Sequence, residues 1–198
     1  MQISPITLTG RHAQLVPLDS QHLDGLKIAA ADGKLWEHFF TSVPAPDQTE
    51  AWHATAKEGE KNGNMLPFTV LAQGSDTILG STRYCNIDCA NLRLEIGYTW
   101  YAKSVQRTGI NTECKLMLLS HAFEILGCNV VEFRTDWLNK KSQAAITRLG
   151  AKQDGILRSH MVSNDGRVRD TVVFSVLKHE WPGVKRNLEY FLARNSNH

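Results

Sequence analysis

From Leu92 to Tyr101 the chain alternates with a two-residue period: Leu94, Ile96, Tyr98 and Trp100 fall on one side, and Glu95, Gly97, Thr99 and Tyr101 on the other. Such a segment is a strand with one buried face. It leads, through the turn Gln106 to Asn111, into a helix expected from Thr112 to Leu126. There Leu116, Leu118, Leu119, Ala122, Phe123, Ile125 and Leu126 cover too wide an arc for a helix lying on a surface, and Gly127 ends it. A buried helix that follows a strand so closely needs a sheet to lie against. Within the turn, Gly109 predicts a backbone conformation closed to residues with a Cβ, so that successive amides point inward. The helix then aims its unpaired amides and positive dipole end at the same point, which suits an anion. A plain turn, with Asn111 as helix cap, accounts for the same residues.

The remaining segments fit a mixed α/β chain. A strand from Ala13 to Leu18 precedes a helix capped by Asp19 and carrying Leu23, Leu26 and Ile28, and a second helix spans Asp47 to Lys61. Leu35 to Thr41 is aromatic enough to line a pocket, or to form a small satellite core. Pro67 to Ala72 and Thr77 to Arg83 read as strands joined at Gln73 to Asp76, and Val130 to Trp137 as a buried strand. Asn139 caps a helix ending at Leu149 and Gly150, and Asn164, Asp165 and Gly166 join the last two strands as a hairpin. An amphipathic helix from Trp181 to Arg194 bears Trp181, Val184, Leu188, Phe191 and Leu192.

At 198 residues with no linker-like break, one domain spanning 1–198 is expected. A net charge of +2, with basic residues scattered, argues against nucleic acid as the main ligand. No run of about 18 apolar residues and no leader pattern are present, so a cytoplasmic protein with no membrane partner is expected. Cys85, Cys89, Cys114 and Cys128 then read as reduced thiols, and their spacing suits no metal site.

The segments Glu95 to Tyr98, Gln106 to Leu119, Leu138 to Ser142, Leu149 to Lys152, Arg169 to Ser175 and Glu180 to Lys185, with a weaker match at Leu8 to His12, resemble the GNAT superfamily of acyl-CoA-dependent N-acyltransferases. Within it they are most similar to the ribosomal-protein-alanine acetyltransferases of the RimJ/RimL kind. The resemblance implies a GNAT fold: a central, twisted, mostly antiparallel sheet of about seven strands flanked by helices. It also implies transfer of an acetyl group from acetyl-CoA to a primary amine by direct attack, with no metal. Homodimerisation is expected from the same likeness and from the apolar closing helix. Asn111 departs from the family loop, which ordinarily has Gly or Ala there, and brings a side chain to where the pyrophosphate approaches.

That chemistry asks for amides to hold the CoA phosphates, a base for the attacking ammonium and a proton donor for the departing thiolate. By the resemblance, Gln106, Arg107, Thr108, Gly109, Ile110 and Asn111 serve the phosphates, and Tyr98, Thr99 and Trp100 line the pantetheine arm, with Asn139 orienting it near the sulfur. Glu95 is the candidate base and Ser142 the candidate donor. Other roles stay open for these residues. Glu95 also suits a structural pair with Arg83 or Arg93, Asn139 and Ser142 suit plain helix capping, Tyr98 or Tyr101 could donate instead, and His160 and Asp170 are alternative bases. Deprotonation at pH 7 costs about 4.6 kcal/mol for a lysine but only about 1 kcal/mol for an α-amine. That favours a protein or peptide N-terminus as acceptor, with small amines of similar pKa remaining open. A non-catalytic acyl-CoA sensor, or a transferase using another donor such as succinyl-CoA, fits the same residues.

Overall fold

The alternating segments pair into one eight-stranded sheet in the order β1-β2-β3-β4-β5-β6-β8-β7, seen in a computed structural model that describes residues 1–163 and 165–195. The strands are β1 (Leu8–Thr9), β2 (Ala13–Pro17), β3 (Leu66–Ala72), β4 (Ile78–Asp88), β5 (Arg93–Tyr101), β6 (Val130–Asp136), β7 (Lys152–Val162) and β8 (Val168–Leu177). All neighbours are antiparallel except β5 and β6. The strand beyond the expected seven is β1, whose two residues are too few for a period to show. β4 runs five residues past the expected end at Arg83 and pairs with β5 as far as Asp88.

Among the described residues, five α-helices cover the sheet: α1 (Leu23–Ala31), α2 (Thr49–Lys61), α3 (Ile110–Ser120), α4 (Lys140–Leu149) and α5 (Trp181–Asn195). The larger core lies between the sheet and α3, α4 and α5, where Leu94, Ile96, Phe133 and Val172 meet Leu118, Leu119, Ile146 and Leu188. Each such leucine contributes about 2 kcal/mol by leaving water. A smaller core joins α1 and α2 to Leu18, Leu35, Trp100 and Ala102. Leu26, Ala29 and Ala30 form the buried stripe of α1, whereas Ile28, expected on it, is 73% exposed. Ahead of α1, Asp19 caps a short 3-10 turn, Ser20–His22, instead of the α-helix itself.

The long central helix divides near the expected middle. Past Ser120 the hydrogen-bond ladder widens into a π turn, His121–Ile125, in which Leu126 N donates to His121 O. Tyr84 Oη donates to Leu118 O at 2.6 Å just where the change occurs, and Ile125 is thrown out to solvent. In the closing helix Trp181, Val184 and Leu188 are buried, so much of the apolar stripe that suggested a dimer is already covered by this chain. At the β7–β8 hairpin Ser163 N donates to Arg167 O and Gly166 takes φ 82°; Asn164 of the expected turn lies outside the described residues.

Candidate active site

β5 and β6 run side by side only from Arg93 to Glu95 and from Val130 to Glu132. Beyond Glu95 they no longer pair, so the backbone of β5 facing β6 is left without a ladder partner from that strand. The opening lies above Glu95. On its other edge β5 carries a bulge: Ser81 pairs with Trp100 but Arg83 with Gly97, and Tyr98 takes φ 52°. The extra residue reverses the alternation. Leu94 and Ile96 therefore share the larger core with Tyr101, while Trp100 turns to the opposite core, edge-on to Trp52 at 6.3 Å. The uninterrupted alternation expected for this strand is corrected accordingly, and Tyr101, held in the core, is removed from the candidate proton donors.

Glu95 opens onto a cavity of about 550 Å³ whose floor is the β4–β5 pair. Trp52 of α2 and the segment from Phe39 to Ser42 wall one side, and the β7–β8 hairpin, through His160 and Arg169, the other. The aromatic segment is thus divided, Leu35 and Trp36 packing in the smaller core and Phe39 and Phe40 facing the cavity. Gly97 keeps the floor open, because a Cβ there would lie 2.9 Å from Glu95 Oε1 and 3.0 Å from Cys85 Sγ.

Glu95 is 7% exposed. Asn86 Nδ2 donates to its Oε2 at 2.7 Å and Arg134 Nε stands 3.5 Å from the same oxygen. Burial raises its pKa, and the Asn86 hydrogen bond, Arg134 and Arg169 hold the rise back. Neither expected partner pairs with it. Arg93 pairs with Glu132, and Arg134 also donates to Glu132 from Nε and Nη2 at 3.1 and 2.9 Å. Of the alternative bases, His160 lines the cavity, with Nδ1 3.0 Å from Thr171 Oγ1. Asp170 lies outside the cavity lining, pairs with Arg158 and accepts from Ser159 N, which lowers its pKa.

The glycine turn keeps its place but not its expected geometry. Gly109 is the N-cap of α3 at φ −68° and ψ −15°, open to any residue, and the left-handed position is Arg107 at φ 65°. Thr108 Oγ1 donates to Val105 O and accepts from Ile110 N, the capping role expected of Asn111, which instead sits in the first turn of the helix. The first amides of α3 lack partners within the helix. Gln106 ties the turn to both neighbours: its Nε2 donates to Tyr101 O at 2.9 Å and its Oε1 accepts from Lys141 Nζ at 2.8 Å. Asn139 caps α4 as expected, accepting from Ser142 N at 3.0 Å. The N-terminus of α4 is thereby joined to the turn, but Ser142 and Asn139 are not part of the cavity lining that holds Glu95 and Tyr98.

Two buried cations were not legible as site residues. Lys115 of α3, 5% exposed, donates to Thr99 Oγ1 at 2.7 Å, and Thr99 Oγ1 lies 2.7 Å from Thr82 Oγ1. Arg83 of β4, 1% exposed, faces the cavity between two aromatic rings. For both, the one signal in the sequence was a charge among residues whose pattern is buried. Among the described residues, no group of three or more His, Cys, Asp or Glu side chains could hold a metal ion, the four cysteines are free thiols, and no helix is long and apolar enough to cross a membrane.

A strand carrying a buried glutamate, followed by a glycine turn and the start of a buried helix, is the order of elements on which the sequence resemblance rested. Residues 13–152 match the family described as Acetyltransferase (GNAT) domain. The chain belongs to the GNAT acetyltransferases. It is 37% identical over 122 residues to a Bacillus subtilis protein named "Putative ribosomal N-acetyltransferase YdaF"; the match covers 62% of this chain and 64% of that one, just under two thirds of the relative. A GCN5-related N-acetyltransferase from Brucella melitensis is 31% identical, with a TM-score of 0.85 over 96% of this chain and 86% of the other. RimJ of Mycobacterium smegmatis, solved with CoA-disulfide, shares the fold at 22% identity and a TM-score of 0.77, each chain being covered to 94%. In this GNAT acetyltransferase the β7–β8 wall of the cavity lies almost wholly beyond the 13–152 match, whereas Glu95, the glycine turn and Asn139 lie within it.

Proposed function

We propose that this acetyltransferase moves the acetyl group of acetyl-CoA to the α-amine of a protein or peptide. The observation that carries the reading is the Glu95 carboxylate, buried at the point where β5 and β6 part and open to a cavity large enough for a chain end. Membership of the GNAT family supports acetyl-CoA as donor, and the name of the Bacillus subtilis relative supports a ribosomal or other protein as acceptor. The residues fit the donor. In the turn from Gln106 to Asn111 the amides of Gln106 and Ile110 already donate to Lys103 O and Thr108 Oγ1, so those of Arg107, Thr108, Gly109 and Asn111 would take its phosphates, with Gly109 presenting no side chain against them, and the unpaired edge of β5 at Tyr98, Thr99 and Trp100 would accept the extended arm, with Asn139 at its far side.

In the reaction, Glu95 accepts a proton from the ammonium through a water molecule and the freed nitrogen attacks the thioester carbonyl. The C–S bond breaks as the tetrahedral adduct collapses, and the second proton shed by the nitrogen makes good the one that Ser142 gives to the departing thiolate, which leaves as the free CoA thiol. A carboxylate of raised pKa is better matched to an α-amine than to a lysine. The test is free-thiol release from acetyl-CoA over a panel of peptides with free and blocked N-termini, lysine side chains and small amines. Release confined to free N-termini is the expected result. Release with lysine only, or with none of the panel, would overturn the reading.

A further inference from the structure

Arg83, which lines the cavity, is a buried cation with no counterion among the described residues, and one edge of its guanidinium has no partner. Its guanidinium carbon lies 4.5 Å from the centre of the Trp52 ring and 4.6 Å from that of Tyr98, so two aromatic rings close on it. At one end of the fork Nη1 reaches only the Met65 thioether, at 3.7 Å, a weak acceptor. The remaining edge is formed by Nε and Nη2, both buried and both without a hydrogen-bond partner. These are the two nitrogens whose parallel N–H bonds fit the two oxygens of a carboxylate. An uncompensated buried charge is costly unless something completes the pair. Burial brings the Arg83 pKa down only to about 10, so it stays charged at neutral pH.

We propose that Arg83 is a carboxylate-binding subsite of the acceptor pocket, and that the preferred acceptor is a peptide N-terminus with Asp or Glu among its first two residues. The proposal rests on the transferase reading and narrows its substrate class. Arg83 pairs with Gly97, and Cys85 with Glu95, so Arg83 and Glu95 project from the same face as diagonal neighbours. Their Cβ atoms are therefore separated by roughly 7–8 Å. An amine at Glu95 and an acid at Arg83 thus belong to one or two residues of a single acceptor. A carboxylate presents two coplanar oxygens to the parallel N–H bonds of that edge. The rest of the lining agrees in sign: it contains Arg134 and Arg169 beside Glu95, its one carboxylate.

The test compares short peptides differing only by an acid-to-amide change, Glu against Gln at the first or second position, with free glutamate and glutamine as a third pair. In the parent, one acidic peptide should exceed its amide twin in kcat/KM by about tenfold or more, as expected for a charge-assisted bidentate contact. Arg83→Gln should bring that ratio close to one by slowing only the acid, and Arg83→Lys, which keeps the charge without the fork, should restore part of it. Preference confined to the free amino acid would move the source from a peptide to a small amino acid and overturn the peptide assignment. Ratios near one for every pair in the parent, or equal losses for acid and amide in Arg83→Gln, would overturn the subsite itself. CoA affinity, measured alongside, shows that each variant is folded; if Arg83→Gln does not fold, the parent and Arg83→Lys decide. If no acceptor turns over, the transferase reading fails on its own, and calorimetric binding of the same pairs in the presence of CoA still decides the role of Arg83.

Discussion

Lys115 and Arg83 both carry charge into the interior, yet only Arg83 faces space that a ligand could fill. Lys115 is enclosed beneath the β5 bulge, and burial lowers its pKa from 10.5 to about 8. The unfolded chain therefore binds more protons between these values, so stability rises as pH climbs from about 8 to 10.5 and the cost of burying the charge is fully present below that window. Lys115→Met should stabilise the protein at pH 7 by on the order of 2 kcal/mol, after allowance for the lost hydrogen bond to Thr99, or roughly 4–8 °C in Tm. Melting the parent and the variant at intervals from pH 7 to 11, the difference should shrink through the window; a constant difference would show that the lysine is not titrating there. For Glu95 the shift is upward, so the acidic limb of kcat/KM should lie above the ordinary carboxylate range. Glu95→Gln should abolish that limb and lower turnover by about 10²-fold with acetyl-CoA affinity retained. A full rate in this variant would remove Glu95 from the chemistry.

Among the elements, the turn before α3 separates what glycine does for the chain from what it does for a ligand. Since Gly109 sits at φ −68°, a side chain there is not strained, and Gly109→Val should melt within about 2 °C of the parent. Its cost should appear only with CoA, as a loss of at least about tenfold in affinity by calorimetry, because the new methyl groups would occupy the space beside the helix amides. Unchanged affinity would show that the phosphates lie elsewhere. The same stretch shows what the sequence could reveal. The strand before it, the buried helix after it and the Asn139 cap are dictated by neighbours a few residues apart, and periodicity and capping chemistry expose them directly. The bulge at Tyr98, the left-handed Arg107 and the π turn after Ser120 are settled by contacts with distant segments, such as Tyr84 Oη on Leu118 O, and leave no local mark. Of the site, Glu95 and the turn could be picked out as candidates. Arg83 could not, because its significance lies in Trp52 and Tyr98 closing over it from separate elements.

For the whole molecule, the proposed CoA site and the cavity adjoin the splayed β5–β6 seam, so occupancy should register as global stability. Acetyl-CoA at about 100 times its Kd should add about 2.7 kcal/mol, a Tm rise of roughly 5–10 °C for a chain of this size, and Gly109→Val, binding about tenfold more weakly, should keep no more than about half of it at the same concentration. Differential scanning calorimetry reads both. The larger core has another tie to α3 at the far end of the sheet. Glu113 accepts from the backbone amides of Arg11, His12 and Ala13 at 2.8, 2.9 and 2.8 Å, and Gly10 has no room for a Cβ, which would meet the Glu113 carboxyl at 2.7 Å. These partners stand 100 to 102 residues apart along the chain. During synthesis at about 5–20 residues per second, the opening strands are made roughly 5–20 s before the carboxylate that receives them. For that interval the first hairpin must wait with three donors open and its apolar side uncovered, so the nascent chain, more than the finished enzyme, is the form most in need of a chaperone.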